Sequence, residues 1–191
     1  MSQRLPRVTA DEIINMEKGV AKLKKDFPQK VFSGINACLT IRDVVSATIL
    51  ICCAIDLLAK YYSGKIDTRK NKERYIQFLA KYFPEYTPPD DFYSFVRSGL
   101  VHTYNMEGRY LLINSSAKWA QDLNMQYDIK HKTVIINPYR LKKDLENALK
   151  KYIADLESDK DLRKRIRTVY KEYPLVGQTM KISKFKYLKK E

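Results

Sequence analysis

Apolar residues recur at spacings of three and four along most of the chain, the repeat of an amphipathic helix. Ile13, Met16, Val20, Leu23 and Phe27 form the first stripe, and Thr9-Ala10-Asp11-Glu12 ahead of it reads as a capping box. Pro28 is expected to end that helix, because it lacks the N–H a helix interior needs. Residues 29–39 fit a loop or a short helix around Ser33-Gly34. A second helix is predicted from near Thr40 to Gly64. Its centre, Val44 to Ile55, is apolar except for Ser46 and Thr48, which places it in the core or shared between core and dimer interface. That run is shorter than the roughly 20 residues a bilayer requires, and Asp43 and Asp56 bracket it, so no membrane span is expected. Thr68 is read as the cap of a third helix carrying Tyr75, Phe78, Leu79, Tyr82 and Phe83, and Pro84 stops it. Pro88-Pro89 can open a fourth, with Asp90 and Asp91 at its positive end and Phe92, Phe95, Val96 and Leu100 as its stripe.

The pattern changes after Tyr104. Residues 109–114, 125–129 and 132–137 have the alternation and β-branched content of strands, with Lys130-His131-Lys132 as a turn. Residues 115–123 fit a short helix or an irregular loop. Asn137 and Pro138 then mark a helix start, and Leu141, Leu145, Leu149, Tyr152, Ile153 and Leu156 give it an apolar face. A further helix is predicted from Lys160 to Tyr173. The expected fold class is mostly α (α+β): an antiparallel helical bundle with a small appended antiparallel hairpin or sheet and C-terminal helices. Residues 1–104 would form the bundle and residues 105–191 the hairpin and basic helices packed on it, as one unit.

Composition adds the partner. The chain has 191 residues and a formal net charge of +14, which points to an anionic partner, nucleic acid first among them. Arg163, Lys164, Arg165 and Arg167 are candidate RNA contacts, and the segment 180–190 interleaves lysines with Ile182, Phe185, Tyr187 and Leu188 in a way that suits phosphate contact and base stacking, or equally a solvated surface. Cys38, Cys52 and Cys53 make no disulfide framework; the adjacent pair is read as small buried hydrophobes. With two histidines and no Cys-x-x-Cys pair, no metal site and no cofactor are expected. The first residues lack the apolar core of a signal peptide, which leads to a cytoplasmic expectation. Nucleotide-binding glycine motifs and the Gly-x-Ser-x-Gly elbow are absent from the sequence.

The remaining chemistry is Arg97 and His102. A guanidinium offers a fixed fork of donors to a phosphate, and an imidazole can give or take a proton near neutrality. Five residues of regular helix is about 140° of rotation, so the two flank a surface unless Gly99 or fraying brings them together. Asp56 is an acid about three turns into an apolar helix; it either holds Arg97 or His102 in position or faces solvent.

The run Arg97-Ser98-Gly99-Leu100-Val101-His102-Thr103-Tyr104 resembles the signature of the HEPN superfamily, an Arg followed after four to six residues by a His. In some toxin members a Tyr follows two positions after the His, as Tyr104 does here. Ser98 stands where many members carry Asn or Asp. The likeness covers residues 9–104 in helix order and is specific around the motif. It implies a helical bundle that dimerises, with paired Arg–His motifs lining a cleft that cuts RNA without metal. Arg97, His102 and Tyr104 would be catalytic, Asp56 and Ser98 supporting. The expected function is a metal-independent endoribonuclease, a toxin or antiphage effector with a protein antitoxin as partner. The alternative is a non-catalytic dimeric module that binds RNA or a nucleotide, since the superfamily includes members without nuclease activity.

Overall fold

The computed structural model describes residues 10–65 and 67–172. Its helices are α1 (Ala10–Phe27), α2 (Ser33–Thr40), α3 (Val44–Ser63), α4 (Asn71–Tyr82), the single turn α5 (Pro89–Asp91), α6 (Gly99–Thr103), α7 (Lys118–Asp122), α8 (Pro138–Ser158) and α9 (Lys160–Glu172). Three short strands, β1 (Tyr110–Leu112), β2 (Tyr127–Asp128) and β3 (Thr133–Ile136), complete a mostly helical fold with a small sheet. The proposed cap at Thr9, the side chains of Ile13 and Met16, and the basic segment 180–190 lie outside what is described.

Helix α3 is the centre: α2, α4, α6, α8 and α9 all pack against it. Asp43 caps it by accepting from the Ser46 N–H at 3.0 Å, and Gly64 closes it in the left-handed conformation at φ 68°. The full 20-residue helix is longer than the apolar run within it. It reaches the length and mean hydropathy (1.9) of a membrane-spanning segment, and half of its most apolar window is buried inside the protein. Ala47, Ile51, Cys52, Ile55 and Leu58 face the core, while Leu50 and Cys53 are exposed. The pair Cys52-Cys53 is therefore split, one inside and one outside, because neighbours on a helix point about 100° apart.

Two expectations about helix ends are corrected. Pro28 does not stop the chain: a π-helical turn, Pro28–Phe32, carries it from α1 directly into α2. The wider turn absorbs a residue whose ring and missing N–H would break a regular helix. Helix α4 follows a 3₁₀ turn, Thr68–Lys70, with Lys70 at its N-cap and no side-chain cap bond, so Thr68 is not its cap. Its stripe is as expected: Tyr75, Phe78, Leu79, Tyr82 and Phe83 are all buried.

The sheet order is β1-β3-β2. β2 and β3 form the expected antiparallel hairpin, with Asp128 accepting the Lys130 N–H at 2.9 Å in the turn. β1, however, pairs with β3 in parallel, Tyr110 opposite Val134 and Leu112 opposite Ile136, so the sheet is mixed and not wholly antiparallel. The excursion through α7 and β2 lets the chain return to β1 in the same direction, which a direct hairpin would not allow.

A chain of edge-on rings fixes the fourth helical segment. Phe83 meets Tyr86 at 5.5 Å between centroids, Tyr86 meets Phe92 at 5.2 Å, and Phe92 meets Tyr110 of β1 at 6.5 Å. The Tyr86 hydroxyl donates to Asp144 of α8 at 2.8 Å and accepts from Asn124 at 2.8 Å. Asn137 caps α8 as predicted, accepting from the Tyr139 and Arg140 N–H groups at 3.0 and 3.1 Å.

Candidate functional site

The stretch from Pro89 to Thr103 is helical throughout but not uniformly α. Pro88 is its N-cap, Pro89 opens it, and residues Phe92–Ser98 form a π-helical segment before α6. The Gly99 N–H donates to the Ser94 carbonyl, five residues back. In a turn of that width, residues five apart approach the same face instead of diverging. Phe92, Val96 and Leu100 remain buried, so the widening is compatible with the apolar stripe.

Arg97 lies near the end of this segment and His102 in the regular helix α6 that follows it, and their side chains meet. Arg97 Nη1 lies 3.5 Å from His102 Nε2. Gly99 sits between them at ordinary helical φ, −57°. Its requirement is space: a Cβ there would lie 2.2 Å from the Asn105 carbonyl oxygen. The chain folds back closely after α6, with the Asn105 N–H donating to Gly99 O at 3.3 Å and the Thr103 hydroxyl to the same oxygen at 2.8 Å. Tyr104 takes the left-handed conformation at φ 54° and is 72% exposed.

Asp56 does not face solvent alone. Its Oδ2 accepts from Arg97 Nε at 2.7 Å and from Nη2 at 2.6 Å. The guanidinium also lies over the Tyr93 ring, 5.3 Å from its centroid. The Arg97 side chain keeps 15% exposure and Asp56 keeps 24%. Burial pushes the Asp56 carboxyl above its ordinary value, and the nearby Arg97 charge offsets part of that. The Arg97 guanidinium is held above its ordinary value: burial lowers it, and the Asp56 carboxylate more than compensates. His102 is exposed on the open side of the pair.

The other candidates divide. Ser98 is half-buried and forms no hydrogen bond to Arg97 or His102. Of the four basic residues on α9, Lys164 pairs with Asp161 at 3.2 Å. Arg165 reaches the Tyr62 carbonyl of α3 at 3.5 Å. Arg163 and Arg167 are one turn apart and half-buried, about 200° around the helix from Arg165. The four are therefore not one patch. His131, in the hairpin turn, is bonded to Asp128 and belongs to that turn.

Sequence reading missed the residues beside the pair. A cleft of about 280 Å³ is lined by Cys53, Asp56, Leu57, Lys60, Asn71, Arg74 and Arg97. Arg74 is 3% exposed, one of three buried polar or charged residues among those described, and it donates to the Lys65 carbonyl at 3.1 Å and to the Asn71 side chain. An arginine on the apolar side of α4 was a signal in the sequence, since such a residue is rarely buried without purpose. Among the described residues, no group of three or more His, Cys, Asp or Glu side chains is placed to hold a metal ion. Comparison with known proteins finds no matching family model, no matching curated protein and no matching solved structure.

Proposed function

We propose that the protein is a metal-independent endoribonuclease of HEPN type, in which Arg97 and His102 act on one phosphodiester. The observation that carries this reading is the 3.5 Å approach of Arg97 Nη1 to His102 Nε2 on an accessible face, with Asp56 fixing the guanidinium from the protein side. In this reaction a ribose 2′-hydroxyl attacks the adjacent phosphorus and the bond to the 5′-oxygen breaks. The products are a 2′,3′-cyclic phosphate and a free 5′-hydroxyl. One imidazole takes the proton of the attacking hydroxyl, and an imidazole or water returns one to the leaving oxygen. Arg97 stabilises the added negative charge on the pentacoordinate phosphorus. Tyr104, exposed two residues after His102, is assigned to substrate contact.

A symmetric dimer completes the site in this proposal. The outer face of α3 carries Leu50, Cys53 and Asp56, so two copies meeting there would set two Arg–His pairs along one cleft. The cell compartment is taken as cytoplasmic, and the role as a toxin or antiphage effector held by a protein antitoxin.

One observation favours a second reading. The Arg97 charge is already met by Asp56 through two hydrogen bonds, which suits a module that binds RNA without cutting it. End-group analysis separates the two. RNA incubated with the protein in EDTA yields cyclic phosphate ends in the nuclease reading, and a 2′-deoxy substitution at the cut nucleotide blocks the reaction. Intact RNA after prolonged incubation supports the binding module.

A further inference from the structure

A second cleft, of about 300 Å³, shares one lining residue with the first. It is lined by Lys65, Lys70, Arg74 and Arg165, with Glu73, Gln77, Tyr62 and Ser63. Arg74 lines both clefts. Together they present the cations Lys60, Lys65, Lys70, Arg74, Arg97 and Arg165 against two acids, Asp56 and Glu73. The like charges are close enough to act on each other: burial first, and then the Arg74 charge, hold the Lys60 ammonium below its ordinary value. Charges of one sign gathered along a cleft are a standing electrostatic cost to the fold and a ready site for an anion.

The chain is shaped to bring these groups into line. Gly64 lets α9 come close to the end of α3: a Cβ on Gly64 would stand 2.7 Å from the Arg165 Cβ and 3.0 Å from its Cα. That close approach places Arg165 beside Tyr62 and Lys65, although its sequence neighbours Arg163 and Arg167 point elsewhere. The side chain of Arg74 ties Lys65, just after α3, to Asn71 at the start of α4.

We infer that the two clefts joined at Arg74 form one channel for a single-stranded RNA, which carries the phosphates flanking the cut from Arg97 past Lys60 and Arg74 to Lys65, Lys70 and Arg165. The choice of RNA rests on the function proposed above; the channel itself rests on the shared lining and its charge. A polymer fits better than a mononucleotide because the cations continue through both clefts beyond the Arg–His pair.

The test reads binding, not cleavage, so a failed nuclease assay leaves it intact. Anisotropy of a fluorescein-labelled oligouridylate is titrated with the His102→Ala protein across a series of salt concentrations. Adding Lys65→Gln, Lys70→Gln and Arg165→Gln should weaken binding about tenfold or more and reduce the slope of log K against log salt by about 2, near 0.7 per lost phosphate contact on a single strand. Lys142→Gln, Lys143→Gln and Lys150→Gln on α8, which line neither cleft, should change neither. If loss of the packed Arg165 stem unfolds the triple variant, Lys65→Gln/Lys70→Gln, both exposed, should still reduce the slope by about 1.4. Unchanged affinity and slope in the channel variants, an equal loss in the α8 set, or uridine monophosphate competing as well as the oligomer would each overturn the inference.

Discussion

Arg97 owes its direction to Asp56, and the pair makes a statement about pH. Burial gives the Asp56 carboxyl a higher proton affinity in the folded protein than in the unfolded chain, where its ordinary value is 3.8. Stability drawn from that proton is present below the unfolded value and lost as pH rises through the folded one. Asp56→Asn cannot titrate, so its stability relative to wild type should improve between about pH 3.5 and about pH 6.5. Thermal denaturation of both proteins at the two pH values checks this; a relative decline would mean that the Arg97 bonds outweigh burial. Gly99 makes a second statement at this scale. Gly99→Ala must displace the Asn105 carbonyl, backbone that the helix end holds in place, and should destabilise the protein by about 1–3 kcal/mol, read from denaturant unfolding. The sequence offered Asp56 as a partner for Arg97 or His102, or as a solvent-facing acid, and only the fold decides for Arg97. The sequence did not reveal that Cys53 is exposed, because the run Val44 to Ile55 offers almost no polar residue to mark the outer face.

The element that delivers Arg97 to Asp56 is the π-helical segment Phe92–Ser98. Stripe counting fits apolar residues to a period of 3.6, and Phe92, Val96 and Leu100 satisfy that count on either geometry, so nothing in the pattern distinguishes the wider turn. The same blindness made Pro28 look like a stop when it lies in a π-helical turn between α1 and α2. The parallel pairing of β1 with β3 was hidden for another reason: strand pattern reports which face is buried, not which neighbour or direction is chosen. A π-helical segment behaves as regular helix with a residue inserted. Deleting Ser94 should therefore restore α geometry ahead of Arg97 and rotate Arg97 and His102 together away from Asp56 on α3. The expected outcome is unchanged far-UV circular dichroism with RNA cleavage reduced about 100-fold, as for loss of a positioned electrostatic group; full activity would show that the widened turn is not what sets the pair against Asp56.

For the whole molecule, charge and the outer face of α3 set the behaviour. The net charge of +14 is far from neutrality, and part of it is concentrated in the clefts beside Arg97. The total pointed to an anion, but the sequence could not show where, because Arg74 and Arg165 become neighbours of Lys65 only through the fold. If the site is shared by two copies, Leu50→Glu on the exposed strip of α3 should convert a dimer to a monomer in analytical ultracentrifugation and lower cleavage with it. A wild-type protein that sediments as a monomer and still cuts RNA would remove the shared site while leaving the Arg–His pair in place. The most direct test of that pair is a set of cleavage rates in EDTA on one single-stranded RNA for wild type, Arg97→Ala, His102→Ala and the double variant. Two groups acting on one transition state should each account for roughly 100-fold or more, and the double variant should be little worse than the poorer single one. Cleavage that persists unchanged in both single variants, with the variants shown to be folded, would contradict the account.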